Sequence, residues 1–132
     1  ADHIEYTLGS KRIVSYGGDE RILKEETAEE ITRMLVKVVD DALAGGSVAL
    51  PHYSIAAKTG TAQIARSEGG GYYEDKYLHS FFGYFPAYDP KFLVFLYVVD
   101  PKGVRYASET LTEPFMNIVK FLINYYEIPP DR

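Results

Sequence analysis

The chain has 132 residues, a formal net charge of −5 and no cysteine, and hydrophobic residues make up 46% of it. This length and composition fit one globular domain and argue against a disordered chain, and no apolar run is long enough to span a membrane. The acidic charge argues against nucleic-acid binding, and the lack of cysteine rules out disulfides and thiolate metal sites. The scattered His3, His52 and His79 predict no metal or cofactor.

An N-terminal hairpin is predicted over residues 2–17. The alternating segments His3–Leu8 and Lys11–Tyr16 flank Gly9-Ser10, a pair suited to a two-residue type II′ turn. Gly17-Gly18 then breaks the alternation.

The next predicted element is a helix over residues 27–44. Thr27-Ala-Glu-Glu30 matches a capping box, in which the threonine hydroxyl and the glutamate carboxylate satisfy free backbone donors at the helix start. Apolar residues then recur at three-four spacing: Ile31, Met34, Leu35, Val38, Val39, Ala42 and Leu43. Gly45-Gly46 ends the pattern, so we expect one continuous buried face.

Three strands are predicted after this helix, at residues 53–65, 79–85 and 92–100. The glycine-rich connection 66–71 and turn-forming residues at 86–90 separate them. Because the third strand is apolar on both faces, we expect it to lie centrally in the sheet and to be covered on both sides.

A final helix is predicted over residues 112–126, with Pro114 in its first turn, where no backbone donor is lost. Apolar residues surround this helix instead of forming a stripe, which indicates burial on more than one side. One other helix and a few strands offer too little cover for such a helix. The pattern therefore points to a folding unit larger than this chain.

The segment 55–65, Ile-Ala-Ala-Lys-Thr-Gly-Thr-Ala-Gln-Ile-Ala, interrupts an apolar strand with a cation, two hydroxyls and a glycine. In a strand, Lys58 and Gly60 point to one face and Thr59 and Thr61 to the other. The glycine leaves a gap in which a ligand can approach the backbone, and the lysine can neutralise a carboxylate. An edge strand that carries a lysine against aggregation explains the same pattern, so these residues alone leave both interpretations open.

Lys58-Thr59-Gly60 resembles the third signature motif of the penicillin-recognising serine acyltransferases. The order of the capped helix, the glycine-rich loop and the segments 80–86, 98–101 and 113–115 supports this resemblance. Together they resemble the C-terminal third of the transpeptidase domain of class B penicillin-binding proteins, over nearly the whole chain. The resemblance implies an α+β fold: a mainly antiparallel sheet flanked by helices, as a partial serine β-lactamase/D,D-transpeptidase-like fold.

In that family a serine attacks the D-Ala-D-Ala end of a peptidoglycan stem peptide, and β-lactams acylate the same serine. The resemblance implies a substrate-binding strand that consists of Lys58, Thr59, Gly60, Thr61, Ala62 and Gln63. The lysine and the first threonine would hold the carboxylate of substrate or drug, and the glycine would allow close approach. The backbone N–H of Thr61 would be one of two oxyanion-hole donors. The last three residues would pair with the bound peptide, and no cofactor or metal is implied.

The family's nucleophile motif, Ser-x-x-Lys, and its second motif, Ser-x-Asn, do not occur in this sequence. We therefore expect residues 1–132 to be the C-terminal portion of a transpeptidase domain that cannot form the acyl-enzyme alone. The resemblance implies a location outside the cytoplasmic membrane, with an anchor elsewhere in the protein. The missing part of the domain, or a second copy through oligomerisation or swapping, would be the protein partner.

Two alternatives stay open at this point. The chain could be a non-catalytic peptide-binding or assembly module, or a structural domain in which the K-T-G triplet is coincidental. Asp40-Asp41, and the pair Glu109 and Glu113, are predicted to be solvated charges. Tyr72-Tyr73 is predicted to be either a mobile flap near the site or a surface turn anchored by aromatic residues.

Overall fold

The computed structural model describes residues 21–132 and the backbone of two short N-terminal strands, β1 (His3–Glu5) and β2 (Lys11–Ile13). These strands pair in antiparallel fashion, with Glu5 opposite Lys11. The predicted pairing is therefore present, but its predicted register is wrong, because a two-residue turn at Gly9-Ser10 would place Leu8 opposite Lys11. The turn itself lies outside the described residues.

The main sheet has three antiparallel strands in the order β3–β4–β5: Ala56–Ala65, Tyr72–Phe85 and Phe92–Val99. The central strand, β4, is twice as long as predicted because its polar first half also pairs with the end of β3. A register shift lies between Gln63 and Ala65, and beyond it Ala65 pairs with Tyr72. Tyr72-Tyr73 is therefore the start of a strand, so the prediction of a surface turn is wrong, and that of a mobile flap stays a prediction.

The apolar strand β5 is not central in the described part of the chain, where it pairs with β4 alone. One face of β5 packs into the core through Phe92, Val94 and Leu96. On the other face Leu93 and Phe95 are 69% and 58% exposed. The prediction of a strand covered on both sides is therefore wrong for these residues, because strand alternation turns only one face of β5 toward the helix that covers the sheet.

That covering helix, α2 (Ala107–Tyr125), begins earlier than predicted, so Pro114 lies in its interior instead of its first turn. Its buried residues fall on one stripe: Ala107, Leu111, Thr112, Phe115, Met116, Val119 and Ile123. Phe121 and Tyr125 lie away from that stripe and are 62% and 68% exposed. Burial on several sides is thus wrong for the described structure, and α2 exposes aromatic surface instead.

The other helix, α1, spans Glu25–Lys37 and continues through a π-helical turn, Val38–Ala42, and a 3₁₀ turn, Leu43–Gly46. The predicted capping box is wrong: the N-cap is Lys24, which makes no side-chain cap hydrogen bond, and Thr27 lies inside the helix. Two glutamates in the first turn, Glu25 and Glu26, complement the positive end of the helix dipole instead.

The buried face of α1 is rotated from the predicted stripe, which leaves Ile31 and Met34 41% and 58% exposed. Thr32 and Val36, which the predicted stripe did not include, are buried, and so are Val39 and Leu43, which it did include. The Thr32 and Tyr84 hydroxyls lie 2.8 Å apart, so a buried polar contact to β4 directs this face toward the sheet.

The two helices cover opposite faces of the sheet. The inner face, defined here as the face against α2, forms the main core, with Phe81 stacked on Phe115 at a centroid distance of 4.4 Å. The outer face, on the opposite side, contacts α1 through Ala56, Ala87 and Val36. The predicted class, a mainly antiparallel sheet flanked by helices, is confirmed.

Candidate functional site

The predicted binding strand is β3, and it lies at an edge of the sheet. It pairs with β4 on one side, and within the described residues no strand pairs with its other side. The residues from Lys58 to Gln63 therefore line an edge whose backbone is open to a ligand.

The direction of each backbone group of β3 follows from the hydrogen bonds of β4. The carbonyls of Tyr77 and Phe85 accept hydrogen bonds of 2.8 and 3.0 Å from N–H groups on the β5 side. Alternate residues of a strand face the same neighbour, so odd-numbered residues of β4 face β5 and even-numbered ones face β3. Thr61 lies opposite the odd-numbered His79, in a register that is unbroken from Ala56 to Gln63. Thr61 therefore makes no ladder hydrogen bond to β4, and its N–H and C=O point to the open edge.

The same alternation exposes the backbone groups of Thr59 and Gln63 at this edge, while those of Gly60 and Ala62 are paired with β4. The Lys58 ammonium donates a 2.8 Å hydrogen bond to the Thr59 carbonyl, which agrees with that carbonyl lying outside the ladder. Alternate open donors and acceptors along a strand are what an extended peptide needs in order to add as a further strand.

The cation of the site lies on the outer face. Lys58 is exposed and lies opposite Phe82, which in turn lies opposite Phe95. Among the described residues Lys58 forms no salt bridge with a carboxylate. Its positive charge, beside a largely apolar surface, is therefore available to an anionic ligand.

Gly60 does not leave the empty gap that the sequence predicts on its side-chain face. A Cβ atom on Gly60 would lie 2.5 Å from the Ser80 hydroxyl oxygen, because Ser80 is its partner across the ladder. The outer-face space beside Gly60 thus holds a hydroxyl group. Close approach of a ligand to this residue has to come along the strand edge.

The Thr61 side chain faces inward and contacts the start of α2. Its hydroxyl oxygen accepts a 3.0 Å hydrogen bond from the N–H of Ala107, the first residue of that helix. Beneath Thr61, His79 is fully buried, and its two ring nitrogens lie 2.9 Å from the Arg105 carbonyl and 2.9 Å from the Thr110 hydroxyl. Sequence reasoning missed this group, since nothing in the local pattern around His79 marks the loop and helix that it contacts.

The sequence of this chain also matches a family model, the penicillin binding protein transpeptidase domain, over residues 15–120. The chain belongs to this family. The prediction made from the K-T-G triplet and its surroundings is thereby confirmed.

Named relatives of this transpeptidase family member agree with the match. This chain is 37% identical over 112 residues to the peptidoglycan D,D-transpeptidase FtsI homolog of Nephroselmis olivacea. The alignment covers 83% of this chain and 16% of the relative. The chain is 34% identical over 101 residues to stage V sporulation protein D of Bacillus subtilis, covering 76% of this chain and 15% of the relative. The chain thus spans about a sixth of the length of these relatives.

Solved structures of penicillin-binding proteins share the fold of this chain. Penicillin binding protein 3 of Mycobacterium tuberculosis superposes with a TM-score of 0.73 and 26% identity, over 99% of this chain and 31% of that one. The transpeptidase domain of Burkholderia pseudomallei penicillin-binding protein 3 gives a TM-score of 0.68 and 31% identity, over 86% and 34% of the two chains.

The remaining charged candidates differ in how far the structure leaves them solvated. Asp40, predicted to be solvated, is half-buried and accepts hydrogen bonds of 2.5 and 2.7 Å from Arg132, whose pKa this contact raises. Glu109 is exposed but accepts a 3.0 Å hydrogen bond from the Tyr106 N–H, which caps α2. Asp41 and Glu113 are exposed.

Neither a metal centre nor a membrane-spanning helix is found in the part of the chain that the structure describes. No three or more His, Asp or Glu side chains there are grouped as metal ligands. Of the helices described, none combines the length and the apolar character needed to cross a bilayer.

Proposed function

We propose that this chain supplies the carboxylate-binding and oxyanion-stabilising wall of a peptidoglycan D,D-transpeptidase site. Lys58 and the Thr59 hydroxyl would hold the terminal carboxylate of the stem peptide or of a β-lactam, and the Thr61 N–H would donate to the oxyanion. The observation that carries the proposal is the direction of that N–H, which points to the open edge of β3 beside a lysine that forms no salt bridge within the described residues.

The chemistry divides between this chain and a serine supplied from outside it. The serine oxygen would attack the carbonyl of the penultimate D-Ala and lose its proton to a base, giving a tetrahedral oxyanion. Collapse would expel the terminal D-Ala and leave an acyl-serine, which the amine of a second stem peptide would attack to form the cross-link. In this scheme Thr61 lowers the energy of both tetrahedral states, and the loss of such a donor typically costs about a hundred- to a thousandfold in rate.

Binding of the substrate would follow from the same edge. The backbone groups of Thr61 and Gln63 would pair with the extended acyl part of the peptide, with Ala62 between them. The ampicillin and aztreonam complexes of the Mycobacterium tuberculosis relative support β-lactams as ligands of such a site.

We further propose that residues 1–132 form the C-terminal portion of the transpeptidase domain. Within the described residues, the part of the outer face that α1 leaves exposed, with Leu93 and Phe95, and the second edge of β5 would then be the surface that receives the rest of the domain. The names of the relatives, peptidoglycan D,D-transpeptidases, support a site of action at the cell wall, outside the cytoplasmic membrane.

The test is intact-mass analysis after incubation with a reactive penicillin, on this chain and on the full-length gene product. We expect a covalent adduct on the full-length protein and none on this chain. Lys58→Ala in the full-length protein should slow labelling by at least tenfold, since a charge-assisted hydrogen bond contributes about 1.5–3 kcal/mol. Lys102→Ala, which removes an exposed lysine paired with Asp100, is the matched control.

Each outcome of this test separates the proposed function from its alternatives. Failure of the full-length protein to acquire an adduct would contradict the transpeptidase and favour a module that binds peptides without chemistry. Labelling of the full-length protein at an unchanged rate after Lys58→Ala would contradict the role given to β3. An adduct on the short chain itself would mean that a nucleophile lies within it.

A further inference from the structure

We infer that His79 is the positioning residue of the oxyanion donor, an inference that rests on the proposed function of Thr61. His79 is the residue opposite Thr61 in the β3–β4 ladder and projects from the same, inner face of the sheet. Because the two form a non-hydrogen-bonded pair, their side chains are as close as antiparallel pairing allows. The imidazole therefore lies directly beside the side chain of the residue that would donate to the oxyanion.

The imidazole holds the chain on both sides of Ala107. One ring nitrogen lies 2.9 Å from the carbonyl of Arg105, two residues before Ala107, and the other lies 2.9 Å from the hydroxyl of Thr110, three residues after it. A carbonyl can only accept, so Nε2 of His79 carries a hydrogen, and Nδ1 lies within hydrogen-bond distance of the Thr110 hydroxyl, which also lies 3.3 Å from the Ala107 carbonyl. Both polar atoms of this fully buried side chain are satisfied by backbone and side chain of the same turn.

Ala107 connects the residues held by His79 to Thr61. The Ala107 N–H is the first orphan donor of α2, and it is satisfied by the Thr61 hydroxyl at 3.0 Å. A β-branched side chain has few χ1 choices, so fixing the Thr61 hydroxyl also restrains the Thr61 backbone. His79 thus sets the position of Ala107, Ala107 sets the position of Thr61, and the open-edge N–H of Thr61 follows.

The sequence between β5 and α2 makes this support necessary. Asp100 and Gly103 have positive φ angles of 52° and 75°, so the connection turns sharply before it reaches the helix. The structure shows two hydrogen bonds from His79 that hold the end of this connection and the first turn of α2. An oxyanion donor has to lie within about 2.7–3.1 Å of the developing charge, and a displacement of the order of 1 Å costs about a hundredfold in rate.

The test is the rate of acylation of the full-length protein by a fluorescent penicillin, with the rate constant and the labelled fraction measured separately. We expect His79→Leu to lower the rate constant roughly ten- to a hundredfold, because the hydrogen bonds to the Arg105 carbonyl and the Thr110 hydroxyl are both lost. His79→Gln keeps one donor and one acceptor and should recover most of the rate. Thr110→Val, which keeps the shape but removes the hydroxyl, should give a loss of several-fold.

The control for a purely structural effect is Tyr84→Phe. It removes another semi-buried hydrogen bond of β4, the 2.8 Å contact with Thr32, on the outer face of the sheet. Loss of stability lowers the labelled fraction, whereas loss of positioning lowers the rate constant of the fraction that is labelled. We expect Tyr84→Phe to change at most the fraction.

The outcomes are distinct from those of the proposed function. No labelling of the wild-type protein would refute the proposed function, and the positioning role with it. Labelling of the wild-type protein, with unchanged rate constants in Thr110→Val and His79→Leu and only a reduced fraction in His79→Leu, would leave the proposed function standing. That result would overturn the positioning role of His79.

Discussion

Asp131, near the C-terminus, is predicted to hold the start of the substrate-binding strand in place. Its carboxylate accepts a 2.7 Å hydrogen bond from the Ser54 N–H and a second hydrogen bond from the Ser54 hydroxyl, two residues before β3 begins. Ser54 is only 2% exposed, and its hydroxyl oxygen also accepts from the Ala87 N–H at 2.9 Å. The N–H of Asp131 in turn donates to the His52 carbonyl at 3.1 Å.

The magnitude follows from the two donors that Asp131→Ala would leave without an acceptor. A buried donor that loses its partner costs about 1–3 kcal/mol. Asp131 itself is exposed, so water can replace part of the loss, and we expect a total of about 2–3 kcal/mol. For a chain of this size that loss corresponds to roughly 6–15 °C in the melting temperature.

Two further variants make the assay of Asp131 specific. Asp131→Asn keeps an acceptor for the Ser54 N–H but cannot accept from the hydroxyl, so it should cost about half as much. Asp89→Ala breaks an ion pair in which the Asp89 and Lys91 side chains are 82% and 56% exposed. It should therefore lower the free energy of unfolding by less than about 1 kcal/mol. The measurement is urea unfolding followed by circular dichroism, with the slope of the transition checked for constancy. Equal midpoints for Asp131→Ala and Asp89→Ala would refute the reasoning.

Three other changes test the strands around the site. Gly60→Ala should destabilise the chain by about 1–3 kcal/mol because its Cβ would meet the Ser80 hydroxyl, and the added change Ser80→Ala should restore most of that loss. Gly83→Ala places a Cβ 2.5 Å from the Phe115 ring, 2.8 Å from the Ala57 Cβ and 2.9 Å from the Ala56 carbonyl oxygen, so it should cost more than Gly60→Ala, with no rescue by Ser80→Ala. The exposed outer face of β5 should make this chain self-associate, and Phe95→Lys should reduce the association seen by sedimentation velocity. A wild-type chain that stays monomeric at its solubility limit would contradict the last expectation.

The sequence was sufficient to locate β3, because strand periodicity and the K-T-G triplet both mark residues 58–60. It also predicted β5 closely, since eight consecutive apolar residues have few other interpretations. It did not predict the polar half of β4, where Glu74 and Asp75 interrupt the apolar pattern. Tyr72 and Tyr77, on either side of them, pair with Ala65 and Gln63 of β3, and pairing between strands is not written in either segment alone.

The start of α2 and the role of His79 were not predicted, for a related reason. Pro114 suggested a first turn, because proline is tolerated there, but the helix had already begun at Ala107 with Glu109 as its cap. The N–H that donates to Thr61 belongs to Ala107, and the carbonyl that accepts from His79 belongs to Arg105. With the helix start misplaced, neither partner could be assigned from sequence.

The interrupted apolar run of β3 can be understood through its register. A slip of one residue against β4 would turn the Thr61 N–H into the ladder and expose that of Gly60 or Ala62 instead. Two glycines oppose such a slip, because neither position has room for a Cβ atom. Gly83 lies against Ala57 on the inner face, and Gly60 lies against Ser80 on the outer face. The residues that interrupt the apolar pattern of β3 therefore fix which of its backbone groups reach the open edge. The same register determines both the core packing of β3 and the direction of the proposed oxyanion donor.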